Sequence, residues 1–132
     1  MKKLTATLAT SLIAFGASFS AAQADKMTLY CSAQEDWCQL MARSFEEATG
    51  IDVNMTRKSS GETFAQVRAE ASNPKGDVWW GGTGDPHLQA AEEGLTMEYV
   101  SPMRDQLHPW AISQSESAGN RTSGIYPGAL GY

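Results

Sequence analysis

Hydrophobic and polar positions follow two periods along residues 27–94, and the period switches at clusters of Gly, Pro and Ser. Met27-Thr28-Leu29-Tyr30-Cys31 is a short apolar run and predicts a strand. From Glu35 to Thr49, Trp37, Leu40, Met41, Phe45 and Ala48 recur at the spacing of one helical face, and Gly50 suits the position that closes such a helix. Ile51-Asp52-Val53-Asn54-Met55 alternates with period two and predicts a second strand. Ser59-Ser60-Gly61-Glu62 has the form of a capping box. The helix it opens turns Phe64, Val67 and Ala71 inward and ends at Asn73-Pro74. Asp77-Val78-Trp79-Trp80 predicts a third strand, with its two indoles on opposite faces. After the flexible Gly81-Gly82-Thr83-Gly84, Asp85-Pro86 reads as an N-cap followed by proline at the first helical position. That helix runs to Glu93 and stops at Gly94.

The order β-α-β-α-β-α favours a mainly parallel sheet with helices on both faces: an α/β, three-layer lobe. Beyond Tyr99 the pattern weakens. Met103, Leu107 and Trp110 suit a helix broken by Pro109. Residues 125–130 suit a strand, which Pro127 would confine to an edge. No repeat or low-complexity linker interrupts the chain.

The N-terminus changes the picture of where the chain works. Lys2 and Lys3 precede an apolar, small-residue run to Phe19, and Ala22-Gln23-Ala24 forms an A-x-A cleavage site. Residues 1–24 therefore read as a cleavable signal peptide, and residues 25–132 as an exported, unanchored chain. A membrane-spanning helix would need about 20 apolar residues. Cys31 lies too far along to be a lipid-modified first residue.

The 132 residues carry a net charge of −5, and loss of Lys2 and Lys3 deepens it by two. An acidic chain without a basic cluster argues against nucleic acid or an anionic membrane as the main partner. Export also bears on the two cysteines. Cys31 and Cys38 lie either side of a strand-to-helix turn and suit a disulfide in an oxidising compartment, with two buried thiols as the alternative. No His stands near enough in sequence to suggest a metal site there.

Ligands of open α/β sheets bind outside the carboxyl ends of the strands. Three segments leave those ends: Cys31-Ser32-Ala33-Gln34, Arg57-Lys58-Ser59-Ser60-Gly61-Glu62, and Gly81-Gly82-Thr83-Gly84-Asp85. All three contain small or hydroxyl residues and open a helix, whose free N–H groups favour an anion or an oxygen-rich ligand. No nucleotide-binding fingerprint is present, nor any G-x-S-x-G or H-E-x-x-H motif. His87 and His108 read as surface polar residues. Glu46-Glu47 and Glu92-Glu93 read as solvated faces, and Asn54-Met55-Thr56 and Asn120-Arg121-Thr122 as chance glycosylation sequons.

The signal peptide, Leu29-Tyr30-Cys31-Ser32-Ala33-Gln34 and Phe45-Glu46-Glu47-Ala48-Thr49-Gly50-Ile51 together resemble the opening of periplasmic solute-binding proteins of ABC importers. Ser60-Gly61-Glu62, Arg68-Ala69-Glu70-Ala71 and Asn73-Pro74-Lys75-Gly76-Asp77-Val78-Trp79-Trp80-Gly81-Gly82 are similar to the branch that binds ferric iron, thiamine, phosphorylated sugars and phosphonates. Glu93-Gly94-Leu95 and Gly128-Ala129-Leu130-Gly131-Tyr132 fit as well. The resemblance implies a two-lobed type 2 binding fold, a sequence more than twice this length, and a non-enzymatic receptor that hands its solute to ABC permease subunits. It makes residues 25–132 an incomplete first lobe, of marginal stability and prone to associate, with a sheet edge, Trp110 and Ile125 uncovered.

Ferric iron or an iron–anion complex is the favoured cargo on this resemblance, carried as ligand rather than cofactor. Thiamine, phosphosugars and phosphonates are the alternatives. Tyr30, Tyr99, Tyr126 and Tyr132 do not match the family's iron-holding tyrosines, and Ser32-Ala33-Gln34 stands where some iron binders carry a His. The resemblance places ligand contacts at Ser32, Ala33, Gln34, Ser60, Gly61, Gly82 and Thr83, with Glu62 reserved for the capping box. A secreted phosphate-ester hydrolase is the rival from another class; it would need a base or metal ligands at the strand ends. A structural fragment without a small-molecule site is the other.

Overall fold

In the computed structural model, which describes residues 26–127, the chain builds from a central strand outward. β1 (Lys26–Cys31) pairs in parallel with β2 (Asp52–Arg57) on one side and β3 (Val78–Trp80) on the other. Between them run α1 (Glu35–Thr49) and α2 (Ser60–Ala69), and α3 (Gly84–Glu92) follows β3. The signal-peptide reading and the Gly128–Tyr132 motif lie outside the described residues.

Side-chain alternation on β1 divides the layers. Leu29 and Cys31 are buried with Ala33, Cys38 and Ala42, and Met27, Val53, Met55 and Trp80 pack against them. That is the α1 side. Tyr30 and Trp79 face the other way, toward α2 and α3. The Tyr30 hydroxyl donates to Glu70 at 2.8 Å, and Trp79 stacks on His87. The expected three-layer, parallel α/β arrangement is what forms. Asp77 does not join β3 as expected. It clips the strand start instead, its carboxylate accepting the Thr28 N–H at 2.7 Å while its own N–H donates to the Thr28 carbonyl at 3.0 Å.

The helix over Glu35–Thr49 forms as expected, and Gly50 closes it at φ 73°. Its buried face is a different one, however. Cys38 and Ala42 point into the core, while Trp37, Leu40 and Met41 stay exposed. The Cys31–Cys38 disulfide explains the rotation: with Cα atoms 5.9 Å apart, it turns Cys38 to the sheet and carries the bulky stripe outward. Closing so short a loop restricts the unfolded chain by about 2 kcal/mol in the chain-entropy picture.

α2 ends at Ala69 rather than Asn73-Pro74, its last turn passing into hydrogen-bonded turns at Ala71 and Asn73. Thr63 is its buried residue; Phe64 and Val67 are half-buried and Ala71 is exposed. α3 starts two residues earlier than expected: Thr83 is its N-cap, and Asp85 and Pro86 lie within the first turn. Pro remains tolerable there because the first-turn N–H groups have no intrahelical acceptor.

After α3 the chain forms a 3₁₀ turn at Arg104–Gln106 and α4 (Pro109–Ser117). Pro109 opens α4 at its first position and does not break a helix. Residues 125–127 form no strand.

Candidate functional site

β-strand pairing continues one residue past the strand ends and brings the three turns to one level. The Ser32 N–H donates to the Trp80 carbonyl at 2.9 Å, and the Lys58 N–H to the Cys31 carbonyl at 3.0 Å. The turns then meet at Gly82. A Cβ there would collide with Ser60 Oγ and come within 2.8 Å of Ser32 Cβ, and the backbone has φ 91°. Gly81, at φ 78°, leaves room for the Ala33 methyl, which a Cβ would meet at 2.8 Å. Successive left-handed residues in such contact admit only glycine without strain. The Thr83 N–H donates to Ser60 Oγ at 3.0 Å, joining the third loop to the second.

Of the seven expected contact residues, Ser32, Ser60, Gly82 and Thr83 come together, with Ala33 behind them. Ala33 is buried against Gly81, so it can offer a ligand only backbone. The Ser32 hydroxyl turns inward, accepting from Trp79 Nε1 at 2.9 Å and sharing a hydrogen bond with Thr63 Oγ1 at 3.1 Å. Gln34 is the exposed N-cap of α1 and makes no side-chain cap bond; the Thr83 side chain likewise leaves α3 uncapped. Gly61 stands open at the rim.

The N-terminus of α2 is closed by its capping box. Ser59 Oγ accepts the Glu62 N–H at 3.3 Å, and the Glu62 carboxylate accepts the Ser59 N–H at 3.0 Å and its hydroxyl at 2.6 Å. Those bonds hold the Glu62 carboxyl below the usual carboxylate range. Glu62 thus serves the cap, as expected.

Four residues outside the expected contact set enter this neighbourhood. His87 is half-buried rather than a surface residue: its ring stacks on Trp79 at 3.8 Å, and Nε2 lies 2.9 Å from the Gly81 carbonyl. Burial lowers its pKa, against the pull of that carbonyl. Thr63 backs Ser32. Tyr126 reaches in from the far end of the described chain, where its hydroxyl accepts the Gly82 N–H at 2.7 Å and its ring meets Trp37 and Trp80 edge-on. Arg57, last residue of β2, donates from Nε to the Ala33 carbonyl at 3.0 Å. Only Arg57 carried a readable signal: Val53 and Met55 face α1, so residue 57 must point the same way, beside the first turn.

A groove of about 1110 Å³ lines the open edge of β3, between Trp79 and Trp80 on the sheet and Met97, Tyr99 and Ile125 on the later chain. It shares Gly81, Gly82, His87 and Tyr126 with the turn cluster but touches neither Ser60 nor Thr83. Its walls are those of an unpaired sheet edge, whereas the converging polar groups lie at the strand ends. The strand ends are therefore the better candidate for a polar ligand. Among the described residues, no three His, Cys, Asp or Glu side chains gather closely enough to hold a metal ion, and no helix is long and apolar enough to cross a membrane.

Residues 27–115 match the family model of the bacterial extracellular solute-binding proteins. A Haemophilus influenzae protein is 38% identical over 98% of this chain and 38% of its own length. The periplasmic binding protein P5PA superposes with a TM-score of 0.72 at 34% identity, over 77% of this chain and 32% of its own. AfuA from Actinobacillus pleuropneumoniae, a periplasmic binding protein solved with fructose-6-phosphate bound, gives 0.65 at 42% identity, over 67% and 28%. Iron-bound HitA from Pseudomonas aeruginosa gives 0.61 at 24% identity, over 66% and 28%, a likeness of fold alone. This chain spans roughly a third of the length of each of these relatives. It belongs to the bacterial extracellular solute-binding protein family.

Proposed function

We propose that this chain supplies one wall of a solute-binding cleft, and that the solute is a small organic phosphate of the sugar-phosphate class. The observation that carries the reading is the meeting of Ser60, Gly82 and Thr83 at the carboxyl ends of three parallel strands, beside the uncapped N-termini of α1 and α3. Hydroxyls and unpaired helix N–H groups match phosphate and sugar oxygens. Family resemblance alone puts ferric iron first. The hydroxyls and N–H groups put a phosphate ester first, because ferric iron asks for several anionic oxygen ligands and among the described residues no three Asp, Glu, His or Cys side chains gather closely enough to hold a metal ion. The identity with AfuA, at 42%, supports the same choice.

On this reading Gln34, Ser60, Gly61 and Thr83 touch the solute through side chains or backbone, with Ser32, Ala33 and Gly82 shaping the floor. A second wall closes over the solute, which binds the closed state more tightly than the open one. The protein is exported to the periplasm, performs no chemistry on its solute, and delivers it to the membrane subunits of an ABC importer.

Calorimetric and thermal-shift titration of the product of the whole reading frame tests this. The arms are fructose-6-phosphate, methylphosphonate, thiamine and ferric citrate. A melting point raised by fructose-6-phosphate is expected, since a ligand at 100 times its Kd stabilises by about 2.7 kcal/mol. A response to ferric citrate alone returns the reading to iron. Hydrolysis of the ester favours the enzyme, and silence in every arm removes the receptor reading.

A further inference from the structure

We infer that Arg57 is the specificity-determining side chain of this cleft, the group that selects a phosphorylated solute over its neutral counterpart. The inference rests on the proposed sugar-phosphate reading and adds to it a residue outside the expected contact set.

The three helix N-termini at the strand ends carry acids in their first turns: Glu35 and Asp36 on α1, Glu62 on α2, Asp85 on α3. These carboxylates offset the partial positive charge of the helix ends. Donor N–H groups and hydroxyls therefore match phosphate and sugar oxygens alike, but supply no full charge that tells a phosphorylated solute from its neutral counterpart. A dianionic phosphate needs a full positive charge beside it, because an unpaired charge taken out of water is costly.

Lys58, which follows Arg57 in the chain, and three arginines elsewhere are otherwise engaged. Lys58 donates to Gln66 Oε1 at 2.6 Å, on the α2 side. Arg68 pairs with Glu93, Arg104 with Glu116, and Arg121 donates to the Thr96 carbonyl. Arg57 differs. Its Nε is tied to the Ala33 carbonyl at 3.0 Å, which holds the guanidinium against the backbone of the first turn. Its two terminal amino groups have no hydrogen-bond partner among the described residues, and the residue is exposed. The Glu62 carboxylate at the head of α2 is held by Ser59, not by Arg57. A guanidinium anchored through Nε and open at both terminal nitrogens is pre-set for two parallel bonds to one phosphate. A lysine at this place would offer a point charge without the fork.

The test compares the wild-type protein, Arg57→Gln, Arg57→Lys and the charge-matched control Arg43→Gln, which alters the exposed side of α1. Each is titrated with fructose-6-phosphate, inorganic phosphate and fructose at two salt concentrations, with thermal melts to verify folding. A charge-assisted bond of this kind is worth about 10- to 100-fold in affinity. R57Q should lose about that much for fructose-6-phosphate and flatten the salt dependence. R57K should recover part of the loss, and R43Q should match wild type. Fructose binding should be the same in all four proteins. If wild type binds fructose-6-phosphate and R57Q binds it equally well, or if R43Q loses as much as R57Q, the assignment is overturned while the sugar-phosphate reading stands. If wild type binds neither phosphate, the functional reading itself fails and takes this assignment with it.

Discussion

Residues 26–94 and residues 95–127 contrast in how they are held. In the first stretch every strand pairs in register, the disulfide locks α1 to β1, and Leu29, Cys31 and Cys38 are almost wholly buried. In the second, Met97, Tyr99, Val100, Met103, Trp110 and Ile125 are exposed. The second stretch is tied down by a few polar contacts: Tyr99 N–H to the Asn120 carbonyl at 2.9 Å, Arg121 to Thr96, and Tyr126 to Gly82. The difference teaches that strand ladders and buried apolar contacts reinforce one another, while isolated polar ties over open apolar surface do not. Tyr126 matters out of proportion because, among the described residues, it alone links the later stretch to the strand-end turns through both a hydroxyl and a ring.

Gly82→Ala should damage the well-ordered stretch most. Left-handed strain and the collision with Ser60 together are worth about 3 kcal/mol. Urea unfolding should show that loss, and a change below 0.5 kcal/mol would mean the turns do not meet tightly. Replacing both cysteines by alanine should cost about 2 kcal/mol, measured the same way. It should also free α1 to rotate and bury Trp37, visible as a blue shift in tryptophan emission. An unchanged midpoint would show that packing, and not the disulfide, orients the helix.

Tyr126→Phe should cost less, about 1 kcal/mol, but should act on the link between the two regions. Hydrogen exchange at the Gly82 amide should quicken, and proteolysis within residues 95–107 should speed up. Cutting first within α1 or β2 would reverse the proposed ranking of the two regions.

The smallest effect concerns His87. Burial favours its neutral form in the folded state, so the unfolded chain takes up the proton first as pH falls below about 6.5. Stability at that site is full above the unfolded pKa and declines as pH drops toward the lower folded one. His87→Gln should flatten that part of the stability–pH curve. A slope identical in wild type and variant would place the titration elsewhere.

Local signals were legible where each residue answers to its own neighbours in sequence. The capping box at Ser59–Glu62, the Gly50 stop and the parallel α/β order follow from short-range chemistry and from strand and helix periods. The face of α1 was not legible, because Trp37, Leu40, Met41 and the true inward residues Cys38 and Ala42 lie on adjoining stripes of one helix, and hydrophobicity favours the larger side chains. The cap of α3 was misread because Thr83 and Asp85 are both good cap residues, and the contact of Thr83 with Ser60 decides between them. His87, Thr63 and Tyr126 carry no local mark at all. Their roles depend on which side chain stands across a turn 6 to 44 residues away.

Sequence by itself thus determined the parallel α/β class, the first three helices, and a cysteine spacing that suits a disulfide, since each depends largely on interactions within a few residues. Tertiary structure decided which stripe of α1 is buried, which hydroxyls remain for a solute, and that Arg57 bonds the Ala33 carbonyl through Nε with its terminal nitrogens open among the described residues. Those outcomes depend on how distant segments approach in space, and no periodicity along the chain encodes that approach.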